Sequence, residues 1–367
     1  MARGAGRVYL HVGLPKTGTT FLQGVLWASR KALSDQGVLY PGPASAHFWA
    51  AQDLTEHLFM GRENRRVPGA WAKLSRQARR WSGSAVLSHE LFTLATGAHM
   101  RRAEVDLEPA ELHIVLTVRD FERQLPAVWQ ERLKNGGRVS FARHFAQTLE
   151  KDASRSSEPS GFWRQQDAVR ILTQWAEVVP RDRIHVITIP QPGAPRDTLW
   201  RRFAEVVGFD AGLVDLESVQ PRGNVSLRPP QARLLRRINT ELQGELSPSV
   251  YRSVVKRYLS ESVTGPGRSS TAYGFSPEQR THARRWSDEL RALVETGGFD
   301  VVGSPSELIS SDTPDSGRRD LDDVSPDAEA EAAVAAAAAL VRWLADPPRT
   351  ADRRPMRALA GQLRARG

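Results

Sequence analysis

The chain has 367 residues, no cysteine and a formal net charge of +9, from 51 Lys and Arg against 42 Asp and Glu. The lack of cysteine excludes disulfides, thiolate catalysis and Cys-based zinc sites together, and a chain this long buries roughly three quarters of its unfolded surface without needing them. The basic excess is mostly arginine and suits a doubly anionic ligand, an acidic acceptor or nucleic acid.

The first seven residues, Met1 to Arg7, form a short basic lead with no apolar core of a secretory signal, so a cytoplasmic location is expected. The longest apolar run, Ala332 to Val341, is too short and too alanine-rich to predict a membrane span. Val8 to Val12 reads as a buried strand, and a turn with two glycines, Gly13-Leu14-Pro15-Lys16-Thr17-Gly18-Thr19-Thr20, follows it. An amphipathic helix then begins with Phe21, Leu22, Val25 and Leu26 on one face. Strand, glycine turn and helix N-terminus make an anion site, because free backbone N–H groups and the positive end of the helix dipole face the loop. Gly13 and Gly18 have the spacing of a nucleotidase P-loop, but Thr19 stands where that pattern carries lysine, and Lys16 lies inside the loop instead.

Further strands are predicted over 85–88, 112–118 and 184–189, with helices over 123–134, 141–150 and 164–178 between them. Strands alternating with helices predict an α/β fold of three layers, a central parallel sheet with helices on both faces. Ligands of such sheets bind beyond the carboxyl ends of the strands. The residues there are the Gly13–Thr20 loop, His89 and Glu90, Arg119 and Asp120, and Pro190 and Gln191. Polar-faced helices follow over 197–207, 229–242, 248–261 and 277–295, then an apolar segment, Phe299 to Gly303, that packs back or adds an edge strand. The composition predicts one domain over 1–304, an exposed acidic Ser/Pro linker over 305–326, and an alanine-rich helix with a basic tail over 327–367. Trp163, Trp175, Trp200 and Trp286 sit at helical spacings and are read as core, and His47 is placed in a loop that lines an acceptor pocket or belongs to the core.

Pro15-Lys16-Thr17-Gly18-Thr19-Thr20 resembles the 5'-phosphosulfate loop of bacterial sulfotransferases, which take a sulfuryl group from 3'-phosphoadenosine 5'-phosphosulfate (PAPS). The resemblance runs from about Tyr9 to about Leu308, with looser matches at Gly37 to Gly42, Ser88-His89-Glu90, Val118-Arg119-Asp120 and Phe203 to Gly208. It implies transfer to a hydroxyl or amine of a carbohydrate, glycolipid or secondary-metabolite acceptor by in-line displacement, leaving adenosine 3',5'-bisphosphate, without a metal. It further implies that Lys16 meets the bridging oxygen and that, in the cofactor loop opened by Pro15, the backbone N–H groups of Thr17, Gly18, Thr19 and Thr20 hold the 5'-phosphate with the Thr19 and Thr20 hydroxyls assisting. Arg119 matches the arginine that grips the 3'-phosphate. Ala127 stands where the family carries a second 3'-phosphate ligand, a serine; Arg123 and Gln124 are substitutes, with the helix expected to start near Arg123 and Pro126 in its first turn. Arg222, in Arg222-Gly223-Asn224, matches a late loop that closes over the 3'-phosphate.

Two residues compete for the general base. Glu90 matches the Ser-x-Glu of the family, and a partly buried glutamate can be tuned to ~6–7; His89 needs no such tuning. Two other function classes remain open. A P-loop small-molecule kinase would want lysine at Thr19 and a strand-borne metal aspartate. A non-catalytic relative, or a basic anion-binding protein, would bind through its arginines; no nucleic-acid recognition motif appears among them.

Overall fold

A computed structural model describes residues 6–57, 64–214, 216, 226–260, 274–309 and 323–345. In chain order the elements are β1 (Arg7–His11), α1 (Thr19–Ala28), α2 (Arg30–Asp35), β2 (Val38–Leu39), α3 (Ala46–Thr55), α4 (Ala70–Arg79), β3 (Ser84–Ser88), α5 (Gly97–Leu107), β4 (Glu111–Val118), α6 (Phe121–Lys134) and α7 (Phe141–Glu150). Then come α8 (Trp163–Gln166), α9 (Ala168–Trp175), β5 (Ile184–Thr188), α10 (Thr198–Val207), α11 (Pro229–Leu242), α12 (Pro248–Tyr251), α13 (Pro277–Thr296), β6 (Asp300–Val302) and α14 (Pro326–Ala345). The described residues fall into two compact units, one within Met1–Gln124, Lys151–Arg222 and Thr281–Ser311, the other within Leu125–Glu150, Gly223–Arg280 and Asp312–Gly367.

The first unit is the α/β fold expected from the alternation of strands and helices. Its six strands are all parallel, in the order β2-β3-β1-β4-β5-β6. Parallel strands need crossovers, so both sheet faces are covered and the strands read as apolar runs. Tyr9, Val86, Val115, Ile187 and Val302 form one core with Leu22, Val25 and Leu26 of α1 and Trp200, Phe203 and Val207 of α10. Helices α4, α5 and α9 pack on the strands as well, burying Trp71 and Leu74, Met100 and Ala103, and Ile171, Leu172 and Trp175. The four tryptophans read as core are all buried. The four predicted strands appear within one residue of their expected ends, and Phe299 to Gly303 contributes the edge strand β6.

Several expectations are corrected. Strand β2 has two residues, too short for any periodicity to reveal it, and with it and the edge strand β6 the sheet has six strands. The helix over 164–178 is two helices, because the Asp167 side chain accepts the Arg170 N–H and starts a new one there. Helix α6 begins at Phe121 rather than near Arg123, because Asp120 Oδ1 accepts the Arg123 N–H at 2.9 Å. Pro126 consequently lies in the helix interior, not in the first turn. The first residues of the expected linker are a 3-10 turn, Pro305–Leu308, with Leu308 buried and Glu307 bonded into the sheet unit. Residues 310–322 and the basic tail beyond 345 lie outside the described residues.

The second unit has its own packing. Asn239 Nδ2 donates to the carbonyls of Leu133 and Gly137 at 2.8 and 2.7 Å, and the Tyr251 hydroxyl donates to its Oδ1 at 2.6 Å. Phe141 and Phe145 pack edge-on against Phe275. Trp343 of α14 packs with Val250 and Val254.

Glu307 joins the strand end of β5 to α10. Its carboxylate accepts from the Thr188 hydroxyl at 2.5 Å and from both Arg202 terminal nitrogens at 2.7 and 2.9 Å. Burial alone would raise its pKa; the Arg202, Thr188 and Ser304 donors outweigh it and hold the carboxyl below its usual value of 4.5. A carboxyl depressed in the folded state contributes stability above the unfolded pKa and loses it as pH falls through the folded one. Glu307→Gln is expected to cost about 2 kcal/mol at pH 7. In denaturant titrations across pH, the difference from wild type should shrink steadily below pH 4.5.

Candidate active site

The loop between β1 and α1 is shaped from beneath. Three donors converge on the Leu14 carbonyl: the Thr17 N–H at 3.2 Å, the Thr17 hydroxyl at 2.6 Å and the Thr19 hydroxyl at 3.2 Å. Since Thr17 gives its hydroxyl hydrogen to Leu14, the Thr117 hydroxyl must be the donor in their 2.6 Å contact. That contact ties the loop to β4. Gln124 Nε2 donates to the Pro15 carbonyl at 2.7 Å and to Gln166 Oε1 at 2.6 Å, and Gln166 Nε2 donates to the same carbonyl at 3.3 Å.

With the carbonyls of Leu14 and Pro15 held by protein donors, the loop is left with N–H groups to offer. Among the described residues the N–H groups of Gly18, Thr19, Thr20 and Phe21 take no protein acceptor. They are orphan donors of the first turn of α1, where a helix favours negative charge. Gly18 has φ +84° and Lys16 has φ +74°. A left-handed lysine is strained, and such strain collects at sites where the fold has a use for it. Lys16 and Gly18 are half-buried, Thr17 and Thr19 buried, and Thr20 exposed.

Around this loop the expected residues are not all used as the sequence suggests. Gln124 is buried and its amide nitrogen is committed to Pro15 and Gln166; its Oε1 has no partner, but an oxygen offers an anion no hydrogen, so Gln124 braces the loop rather than holding a phosphate. Arg123 pairs with Asp120 and donates to the carbonyls of Pro190 at 2.9 Å and of Ile189 and Glu307 at 3.4 Å, which commits its guanidinium to the fold. Thr19 gives its hydroxyl to Leu14 instead of the loop opening. Phe21 packs against the core beside α1. Arg222 lies outside the described residues.

Arg119 follows the end of β4, two residues after Thr117. Burial pushes its pKa down to about 10, with Arg123 adding to the shift and Asp120 opposing it. Its Nη2 donates to the Arg123 carbonyl at 2.6 Å, and its Nε is buried with no partner. A desolvated cation with an unused donor favours an anionic ligand. Asp120 is fully buried, caps α6 and pairs with Arg123, so the aspartate at this strand end is engaged within the protein. Among the described residues, no three His, Asp or Glu side chains converge on a metal-sized site.

At the end of β3, His89 and Glu90 have different tasks. His89 Nδ1 accepts the Leu91 N–H at 3.1 Å and caps a short 3-10 turn. Burial lowers its pKa, with Glu90 partly offsetting this, so the ring is neutral and its proton sits on Nε2. The 3.8 Å approach of Nδ1 to Glu90 Oε2 is therefore not an ion pair. The Glu90 side chain is 34% exposed, and Gln23 Nε2 reaches its Oε2 at 3.4 Å. The same Gln23 amide reaches the Ser88 carbonyl at 3.2 Å, which links α1 to the end of β3. His47 is on α3, not in a loop. It is buried, with Nε2 on the Pro41 carbonyl at 2.9 Å and Nδ1 accepting the Ser88 N–H at 3.2 Å.

Gln23, Thr117 and Gln166 support the site and were not singled out in the sequence. Of these, Thr117 left a signal there, as a polar residue inside a strand that is otherwise largely apolar. No protein-family model and no curated protein matches the chain. A sulfotransferase from Alicyclobacillus acidocaldarius, known as a crystal structure, aligns over 68% of this chain and 99% of its own, with 17% identity and a TM-score of 0.41.

Gly13 has φ +40°, and a Cβ there would stand 2.7 Å from His11 Nε2 and 3.0 Å from the Thr19 hydroxyl. Gly13→Ala is expected to leave circular dichroism unchanged while lowering the affinity for inorganic pyrophosphate at least tenfold, read by calorimetry. Undiminished affinity would detach the loop from anion binding.

Proposed function

We propose that the protein is a PAPS-dependent sulfotransferase acting on a hydroxyl or amine of a carbohydrate, glycolipid or secondary-metabolite acceptor. The observation that carries this reading is the loop after β1: two inward carbonyls held from below, outward N–H groups at the start of α1, and a left-handed lysine between them. A nucleotidase loop would bring its lysine from the first turn of the helix, and here that position is Thr19.

In this reading the N–H groups of Gly18, Thr19 and Thr20 hold the 5'-phosphate. Lys16 meets the bridging oxygen between sulfur and phosphorus, where charge grows as the bond breaks. Arg119 receives the 3'-phosphate, which would satisfy its buried Nε. Sulfuryl transfer is an in-line displacement that asks the protein mainly for positioning and charge stabilisation. The acceptor oxygen forms a bond to sulfur, the bond from sulfur to the bridging oxygen breaks, and the acceptor proton passes to a base. Glu90 is the base in this proposal. Its carboxylate is partly exposed beside the loop strand, whereas His89 has its Nδ1 lone pair engaged by Leu91 and a proton on Nε2.

Calorimetric titration with adenosine 3',5'-bisphosphate and, in parallel, ATP, both without Mg²⁺, tests the donor. The bisphosphate should bind and ATP should not; preference for ATP would support a kinase instead. Lys16→Ala should lower turnover by ~10²–10³ with the fold intact, as removal of one preorganised charge-stabilising group does. Glu90→Gln should lower turnover more than it weakens bisphosphate binding. Should His89→Ala produce that pattern and Glu90→Gln not, the base is His89.

A further inference from the structure

His11 has no part in the roles above. It is the last residue of β1 and is fully buried. Burying an imidazole costs free energy unless its nitrogens are satisfied, so both need an account. Nδ1 lies 2.8 Å from the Ser88 hydroxyl. Nε2 is buried and has no partner. Its direction follows from Gly13, since a Cβ on that glycine would meet Nε2 at 2.7 Å and the Thr19 hydroxyl at 3.0 Å. The nitrogen therefore points into the floor of the loop, between Gly13 and the first residue of α1.

The bonds around Ser88 decide which nitrogen holds the proton. Gln23 Nε2 donates to the Ser88 hydroxyl oxygen at 3.4 Å. That bond uses one of the two lone pairs of the oxygen; among the described residues Nδ1 is the acceptor in reach of the hydroxyl hydrogen, so Ser88 donates to Nδ1 and the single imidazole proton sits on Nε2. Burial holds the ring neutral, with its pKa pushed down to about 3, so this count does not change near neutral pH. The outcome is a desolvated N–H under an anion loop, beside a threonine whose hydroxyl makes a long 3.2 Å bond to Leu14.

We propose that His11 is a positioning residue: when an anion fills the loop, Nε2–H donates to the Thr19 hydroxyl oxygen and turns the hydroxyl hydrogen from Leu14 to the anion. The inference rests on reading the loop as an anion site. All donors of the chain then run one way, from the Gln23 amide through Ser88, His11 and Thr19 to the ligand, and each polarises the next. Because Gln23 also reaches Glu90 Oε2 at 3.4 Å, loop and carboxylate share one hydrogen-bonded path.

The test is nitrogen NMR of the full chain with ¹⁵N-labelled histidine, titrated with adenosine 3',5'-bisphosphate. The His11 ring is assigned by its proximity to Phe203, whose centroid is 5.4 Å away. The free protein should show the Nε2-protonated tautomer, and the Nε2 signal should shift on saturation. Thr19→Val should abolish that shift, and His11→Phe should weaken binding about tenfold, the loss of roughly one hydrogen bond. A ring protonated on Nδ1, or an Nε2 signal unmoved in saturated wild-type protein, overturns the role of His11 while leaving the loop reading intact. If His11→Phe does not fold, the wild-type spectra still decide. Absence of bisphosphate binding by wild-type protein overturns the loop reading and this inference together.

Discussion

The site depends on two carbonyls being turned the wrong way for a ligand. Leu14 and Pro15 direct their oxygens into the protein, where Thr17, Thr19, Gln124 and Gln166 donate to them. A peptide plane is rigid, so fixing the Pro15 carbonyl on one side turns the Lys16 N–H to the other; the Leu14 plane ends in the Pro15 nitrogen, which carries no hydrogen, and holding it fixes the turn. Holding both planes fixes the turn that presents the first N–H groups of α1. Thr17 and Thr19 do this from within the loop, while Gln124 of α6, Gln166 of α8 and Thr117 of β4, which bonds Thr17, reach it from 100 or more positions away in the chain. The loop is thus preorganised jointly by its own two threonines and by the sheet and its crossovers.

The same economy of partners explains which charged groups remain available. Arg123, Asp120, Arg202 and Glu307 satisfy one another and the backbone around the ends of β4 and β5. They hold the strand ends together and have little left for a ligand. Arg119 stands apart because its Nε is buried without a partner and its pKa is depressed. At the end of β3, capping by His89 removes its Nδ1 lone pair, which leaves Glu90 as the exposed acceptor. Ligand-directed chemistry here is assigned by what the fold has not already used.

Much of the fold was legible in the sequence because long-range order showed up as local pattern. A strand buried on both faces is a continuous apolar run, so Val8 to Val12, 112–118 and 184–189 could be read directly. Tryptophans at helical spacing could be placed in the core for the same reason. Strand β2 could not, since two residues carry no period and it exists only as a partner of β3. The break at Asp167 and the start of α6 at Phe121 were hidden because each depends on one side chain choosing its backbone partner.

For the site the division falls elsewhere. Residue types and spacing marked the loop and the strand ends that carry Arg119 and the His89-Glu90 pair, because a glycine turn and an apolar run each have a local signature; the roles expected of Lys16, Arg119 and Glu90 came from the resemblance. The tertiary structure alone decided how each group is engaged: Gln124 bracing the loop, Arg123 tied to Asp120, His89 capping a turn, His11 aimed beneath Thr19. A side chain's role depends on which donors and acceptors its neighbours have left unmatched. Those neighbours meet only when strands distant in the chain are paired, so no stretch of sequence contains that information by itself.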